Sequence, residues 1–392
     1  MSKWQHTPKV GRYSIELIVI YFVRGLQAVR QLWGRPVGNR SNFSSLKSFV
    51  FLFLLGTSLS IAIASCAGKI SDAGGAANAT GNKNNVQLTL VSYSVTKAAY
   101  DRIIPKFEAQ WKKEHNQNVT VNGSYGASGS QATAVINGLE ADVVHLSLAL
   151  DVDKIVKAGL IQPGWETEAP SDGIVTKSVG VIATREGNPK NIKNWADLAK
   201  NGINVMTPDP KTSGGARWNF LAIWGFVTRT GGDENTALDL TTKVYKNAPV
   251  LPVSARAASD LFFKQGKGDA LITYENEMIL SEQFGDKLPY TVPDVNISID
   301  NPIAVVDKNV DKHGTREIAE AFVKFLYTPE AQREFAAVGF RPVNPTVVKE
   351  VENKFPKVQT LFTAKDLGGW GNIQNKFFDD GAIFDKIHTK KS

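Results

Sequence analysis

Four short segments of this chain place hydroxyl residues and glycines where a strand would run into a helix. They are Val91-Ser92-Tyr93-Ser94-Val95-Thr96, Tyr125-Gly126-Ala127-Ser128-Gly129-Ser130-Gln131, Pro210-Lys211-Thr212-Ser213-Gly214-Gly215-Ala216-Arg217-Trp218 and Val253-Ser254-Ala255-Arg256-Ala257. The chemistry open to such groups is hydrogen-bond donation without formal charge. A helix start leaves N–H groups without intrahelical partners and carries a partial positive charge, and a serine adds an O–H. Several such starts facing one cleft would hold a dianion with no cationic side chain touching it.

Each segment also has an ordinary reading. Ser94 taken alone reads as a helix cap, a role worth about 1 kcal/mol. Gly126-Ala127-Ser128-Gly129 also reads as a flexible loop. Ser213-Gly214-Gly215 is more telling, because two glycines weaken a helix start unless something needs the space. Ala255 carries no signal of its own. Catalytic alternatives are poorly supplied: His115, His145 and His313 show no metal-ligand spacing, and neither a Gly-x-Ser-x-Gly elbow nor a Walker loop occurs. The carboxylates of Tyr274-Glu275-Asn276-Glu277 do not face each other on a helix and read as cap and surface groups.

The elements that must position these segments alternate between short β-rich runs and amphipathic stretches, as in α/β proteins. Strands are expected at Leu88–Val91, Val119–Val121, Asp142–His145, Ile203–Met206, near Val250–Val253 and at Ala270–Tyr274. Helices are expected at Thr96–Glu114, near Gln131–Asn137, and at Val152–Ala158, Gly214–Arg229, Asn235–Lys246, Ala257–Lys264, Thr315–Tyr327 and Pro329–Val338. In the first of them Tyr100, Ile103, Ile104, Phe107 and Trp111 fall at helical spacing. Two long extended runs, Ile174–Thr184 and Val295–Val306, read as crossovers between two lobes that would close on a ligand by hinge motion.

The formal charge of +7 does not belong to this body. Residues 1–65 hold eight basic residues and one acid, Glu16, which accounts for all of it. The rest is balanced, so no footprint for nucleic acid remains. Behind Lys47 an apolar run ends at Ile63-Ala64-Ser65-Cys66, the layout of a secretory signal. The segment resembles a lipobox with Cys66 as the lipidated residue; cleavage after Ala64 is the competing reading. A retained span is disfavoured, because the run only just reaches the roughly 20 apolar residues needed. The expected organisation is an N-terminal extension over 1–46, a signal over 47–66 and a flexible tether over 67–85. Lobe one takes 86–180 plus 301–392, and lobe two 181–300. With Cys66 the only cysteine, internal disulfides and thiolate metal clusters are excluded.

In this order, Val91-Ser92-Tyr93, Gly126-Ala127-Ser128-Gly129 with Gln131-Ala132-Thr133, Glu140-Ala141-Asp142-Val143-Val144 and Pro210 through Asn219 resemble the periplasmic sulfate-binding proteins. The likeness continues through Tyr274-Glu275-Asn276-Glu277, Val305-Val306-Asp307-Lys308, Phe340-Arg341-Pro342 and Gly368-Gly369-Trp370 to Phe384-Asp385. It implies a two-lobed type II periplasmic-binding-protein fold of the α/β class, with two mostly parallel sheets joined by extended crossovers. The implied role is a monomeric, cofactor-free periplasmic receptor that hands sulfate to an ABC permease. The implied ligand set is backbone N–H groups of Ser94, Gly214, Gly215 and Ala255 and hydroxyls of Ser128 and Ser213, with the Ser213 N–H as a further donor. Arg217 falls behind these groups.

The chain departs from the family at two of these positions. Ser94 stands where relatives carry Asp, and Tyr274 stands where they carry a Trp whose indole N–H donates. A phenol both donates and accepts, so Tyr274 is expected to soften the rejection of protonated phosphate. Two other readings stay open: the same role with thiosulfate, molybdate or another tetrahedral oxyanion, and an enzyme for phosphate esters.

Overall fold

Asn85–Tyr93 forms strand β1 in the computed structural model, which describes residues 85–389. The expected extension, the signal segment with Cys66 and the tether as far as residue 84 lie outside the described residues. Asn85, expected as the end of the tether, already pairs with Asn118. Leu88, Leu90 and Val91 of β1 are fully buried, as befits a strand covered on both faces.

From β1 the chain enters helix α1 (Lys97–His115), which buries Tyr100, Ile103, Phe107 and Trp111. It ends at Asn116, whose left-handed conformation at φ 50° closes the helix. Strand β2 (Asn118–Gly126), helix α2 (Ser128–Ile136), strand β3 (Val143–His145) and helix α3 (Ala149–Lys157) follow. Strands β2 and β3 flank β1 on opposite sides, both parallel to it. The chain therefore reverses direction across the sheet at β1, and the crevice beyond the carboxyl ends of these strands is where an α/β sheet takes ligands.

Strand β4 (Ile174–Thr184) leads to β5 (Val205–Met206), α4 (Gly214–Arg229), α5 (Glu234–Lys246), α6 (Ala255–Phe263) and β6 (Ala270–Tyr274). Helix α7 (Glu275–Gln283), strand β7 (Tyr290–Thr291) and strand β8 (Val295–Val305) come next. The C-terminal part is helical, with α8 (Asp307–His313), α9 (Arg316–Leu326), α10 (Pro329–Ala337) and α11 (Pro345–Glu350). After strand β9 (Thr360–Phe362) it closes with α12 (Gly369–Ile373) and α13 (Ile383–Thr389). Among the described residues no helix is long and apolar enough to cross a membrane.

The sheet runs in the order β2-β1-β3-β8-β4-β6-β5, with β7 on β4 and β9 on β8. It is mixed rather than mostly parallel. The two long extended runs are themselves strands: β8 pairs antiparallel with β3 through Ile303–Val305 and with β4 through Ser298–Pro302. Strand β4 then pairs antiparallel with β6 through Gly180–Thr184. Each long strand thus divides its length among three neighbours, and among the described residues only β1–β2, β1–β3, β5–β6 and β8–β9 are parallel.

The expected strand near Val250–Val253 is absent. The segment is irregular, Val250 and Val253 are both 56% exposed, and it is held by bonds from the Asp209 N–H to Pro252 O and from the Thr212 hydroxyl to Val253 O, each at 2.8 Å. Proline removes a ladder donor, and the backbone bond does not propagate into a ladder.

Candidate functional site

Helix α4 begins on a neutral cap. Ser213 Oγ accepts from the Ala216 N–H at 3.4 Å, and the Ser213 N–H is itself spent on Asp209 O at 2.8 Å. Gly214 and Gly215 come next, both buried. At these positions the helix has no upstream carbonyl to offer their N–H groups. Glycine is required at the first by close approach: a Cβ there would lie 2.7 Å from Ser147 Cβ and 2.8 Å from Leu148 Cδ2. At Gly215 a Cβ would lie 3.3 Å from Ala255 Cβ, 3.4 Å from the Tyr274 hydroxyl and 3.5 Å from Ser213 Oγ. One small volume is therefore bordered by the starts of α4 and α6 and the end of β6.

The other starts close in on it. Ser254 caps α6 by accepting from the Ala257 N–H at 3.1 Å, which leaves the N–H groups of Ala255 and Arg256 without intrahelical acceptors. Helix α6 packs against the 3-10 turn Ser94–Thr96. At α2, where Ala127 gives no side-chain cap, the Gly129 N–H donates to Thr212 O at 3.1 Å and ties that start to the approach of α4.

Ser147, just past β3, joins these parts. Its Oγ lies 2.6 Å from the Tyr274 hydroxyl, and its N–H donates to Ser128 Oγ at 3.0 Å. Its carbonyl accepts from Trp218 Nε1 and Asn301 Nδ2, each at 2.9 Å. All of Ser128, Ser147, Ser213, Trp218 and Tyr274 are at most 3% exposed. Burial raises the Tyr274 phenol well above its ordinary range, with Asp151 and Glu277 adding to the effect against the Ser147 hydrogen bond. It is a neutral hydroxyl at any ordinary pH.

Charge is kept behind the donors. The Asp151 carboxylate accepts from Ser128 Oγ at 2.7 Å and pairs with Lys154 at 2.9 Å. Arg217 is buried, but its Nε donates to Pro210 O at 2.8 Å, its Nη1 to Gln374 Oε1 at 3.1 Å, and its guanidinium lies 5.2 Å from the Phe378 ring centre. Burial lowers its pKa, opposed by Asp151, Asp379 and Asp209. Arg256 turns its guanidinium to Glu277 at 2.8 Å. Among the described residues no group of side chains is arranged to hold a metal ion.

A model of the bacterial extracellular solute-binding proteins matches residues 88–341, which span the site. The chain belongs to that family. Among its relatives is a sulfate-binding protein of Synechococcus elongatus, 55% identical over 87% of this chain and 96% of that protein. A thiosulfate-binding protein of Pseudomonas aeruginosa is 39% identical over 81% of this chain and 95% of its own length. The solved sulfate-binding protein SubI of Mycobacterium tuberculosis superposes with a TM-score of 0.70 at 38% identity, covering 75% of this chain and all of that one. The named relatives are solute-binding proteins rather than enzymes.

Within this family member the structure brings together Ser128, Ser213, Gly214, Gly215, Ala255 and Tyr274, with the Ser94 turn packed on α6 and Arg217 behind them. Two details differ from expectation. The Ser213 N–H is already bonded to Asp209, and the Ser128 hydroxyl faces Asp151. The reading of Glu275 and Glu277 as surface groups is overturned: they are 0% and 2% exposed, paired with Arg341 at 2.7 Å and Arg256 at 2.8 Å. His145 is buried, its Nδ1 2.7 Å from the Tyr100 hydroxyl, and desolvation pulls its pKa down to about 3. Sequence reasoning missed Ser147, Asp151 and Asn301; the one signal for Ser147 was a lone hydroxyl in the apolar run Leu146-Ser147-Leu148 directly after a strand.

Proposed function

We propose that this chain is an extracytoplasmic sulfate receptor that delivers its ligand to an ABC importer. The observation that carries the reading is the cluster of uncharged groups at the α4 start, where buried Gly214 and Gly215 have no intrahelical acceptors for their N–H groups and Gly215 lies beside Ala255, the Tyr274 hydroxyl and Ser213 Oγ. A fully ionised oxyanion offers only acceptors, and these groups offer donors. In a dry site such fixed dipoles interact strongly with charge, and no cation is needed in contact.

On this reading Ser94, Gly214, Gly215 and Ala255 donate through backbone N–H groups and Ser213 through its hydroxyl. Ser128 donates only if its hydroxyl turns from Asp151 to the anion. Lobe one (from residue 86 to about 180 and again from about 301) and lobe two (181–300), on which Phe377, Phe378 and Phe384 of the C-terminal part also pack, close on the ligand by bending along β4 and β8. Residues 67–84 tether the receptor to a signal segment ending near Cys66, which holds it at the periplasmic face of the membrane, by lipid if Cys66 is modified. It works as a monomer and meets the permease in the closed form.

A second ligand, thiosulfate, is favoured by the relative of that name at 39% identity. Calorimetric titration with sulfate, thiosulfate, molybdate and hydrogen phosphate separates the readings. Sulfate is expected to bind tightest and hydrogen phosphate at least tenfold more weakly. Tighter binding of thiosulfate transfers the role to that anion, and turnover of a phosphate ester would replace the receptor reading with an enzyme.

A further inference from the structure

Tyr274 and Ser147 form a pair of hydroxyls, 2.6 Å apart and buried, on the border of the volume next to Gly214 and Gly215. Two hydroxyls so paired hold two protons and spend one between them, leaving one O–H to point elsewhere. The phenol is the more acidic partner and the better donor, so the shared proton belongs to Tyr274 and the free one to Ser147. Each hydroxyl of the pair borders one of the two glycines: Ser147 Oγ lies 2.8 Å from where a Cβ on Gly214 would stand, and the Tyr274 hydroxyl 3.4 Å from where one on Gly215 would. The Ser147 N–H and carbonyl are committed to Ser128, Trp218 and Asn301, which fixes its backbone and leaves the hydroxyl as its one adjustable group.

Resting on the reading of the site as an oxyanion receptor, we propose that Ser147 is a direct ligand of the anion and that Tyr274 is its positioning residue. By donating to Ser147 Oγ, Tyr274 fills one of the two serine lone pairs open to a protonated oxyanion and turns the serine proton toward the ligand. The pair then works as a one-proton donor. Tyr274 thereby sharpens the discrimination against hydrogen phosphate instead of softening it. Ser147, through which this selectivity acts, has no role in the ligand set implied by resemblance.

The two residues are told apart by affinity and selectivity measured together. Calorimetry on the wild-type protein, Ser147→Ala and Tyr274→Phe, with sulfate and with hydrogen phosphate, reads both; circular dichroism and thermal unfolding establish that each variant is folded. Loss of a hydrogen bond to a charged group is worth roughly a ten- to hundredfold change in affinity. Ser147→Ala is expected to lose that much sulfate affinity, whereas Tyr274→Phe loses less but narrows the ratio of sulfate to hydrogen phosphate binding by about tenfold. The reverse order, a large sulfate loss in Tyr274→Phe and none in Ser147→Ala, overturns the proposal and makes the phenol the ligand. A wild-type protein that binds no sulfate overturns the receptor reading as well, whereas wild-type binding with both variants unchanged overturns this inference alone.

Discussion

Helices α4 and α5 follow one another in the chain and begin in opposite ways. Helix α5 is capped by Asp233, whose carboxylate accepts from the Thr236 N–H at 2.8 Å and the Thr236 hydroxyl at 2.7 Å, and Glu234 follows in the first turn. Those hydrogen bonds hold the Asp233 carboxyl below its usual range, and its exposed helix start is closed by its own negative charge. Helix α4 has a neutral serine cap, no acid in its first turn and two buried glycines. Its positive end is left open. A helix start becomes a ligand site when the sequence withholds the carboxylate and removes the side chains that would fill the space.

Giving α4 the cap of α5 breaks the comparison most severely. Ser213→Asp keeps a good cap, so the thermal midpoint should hold. A carboxylate about 4 Å from the anion costs on the order of 4 kcal/mol for each unit of ligand charge at an effective dielectric constant of 20, and calorimetry should show sulfate affinity reduced at least about a thousandfold. Ser213→Ala, which removes the hydroxyl and adds no charge, should lose roughly ten- to hundredfold. Retained affinity in the aspartate variant would show that the α4 start is not the site.

Gly215→Ala asks whether the space matters. The added methyl fits against Ala255 Cβ at 3.3 Å with a small adjustment, so the fold should survive while the methyl occupies ligand space and affinity falls roughly tenfold. Gly214→Ala meets Ser147 and Leu148 below 3 Å and should also lower the unfolding midpoint, since overpacking typically costs about 1–3 kcal/mol. Thermal unfolding of the two variants side by side measures the difference.

The smallest effect concerns charge behind the donors. Asp151→Asn removes the carboxylate that engages the Ser128 hydroxyl and should tighten sulfate binding slightly. A clear loss in titration would mean that Asp151 orients Ser128 for the ligand.

Much of this arrangement was legible in the chain. Gly214–Arg229, Ala270–Tyr274 and Ile174–Thr184 fall where periodicity and terminating residues place them. What periodicity lacks is pairing. It marks Ile174–Thr184 and Val295–Val306 as extended without revealing that they pair antiparallel with each other, which makes the sheet mixed. Val250–Val253 has the β-branched content of a strand, yet Pro252 and the want of a partner leave it irregular. Glu275 and Glu277 read as surface groups because the arginines that make their burial tolerable, Arg341 and Arg256, stand 66 and 21 residues away in sequence. The lone hydroxyl of Ser147 in its apolar run gains a role only beside Tyr274, 127 residues distant.

Amide resonances of Gly214 and Gly215 test the central claim most directly. In a nitrogen–proton correlation spectrum of the labelled protein, one equivalent of sulfate should move both amide protons downfield further than those of glycines outside the site, because each gains a charged acceptor. Saturable sulfate binding that leaves both resonances in place would contradict the account and put the anion elsewhere on the protein.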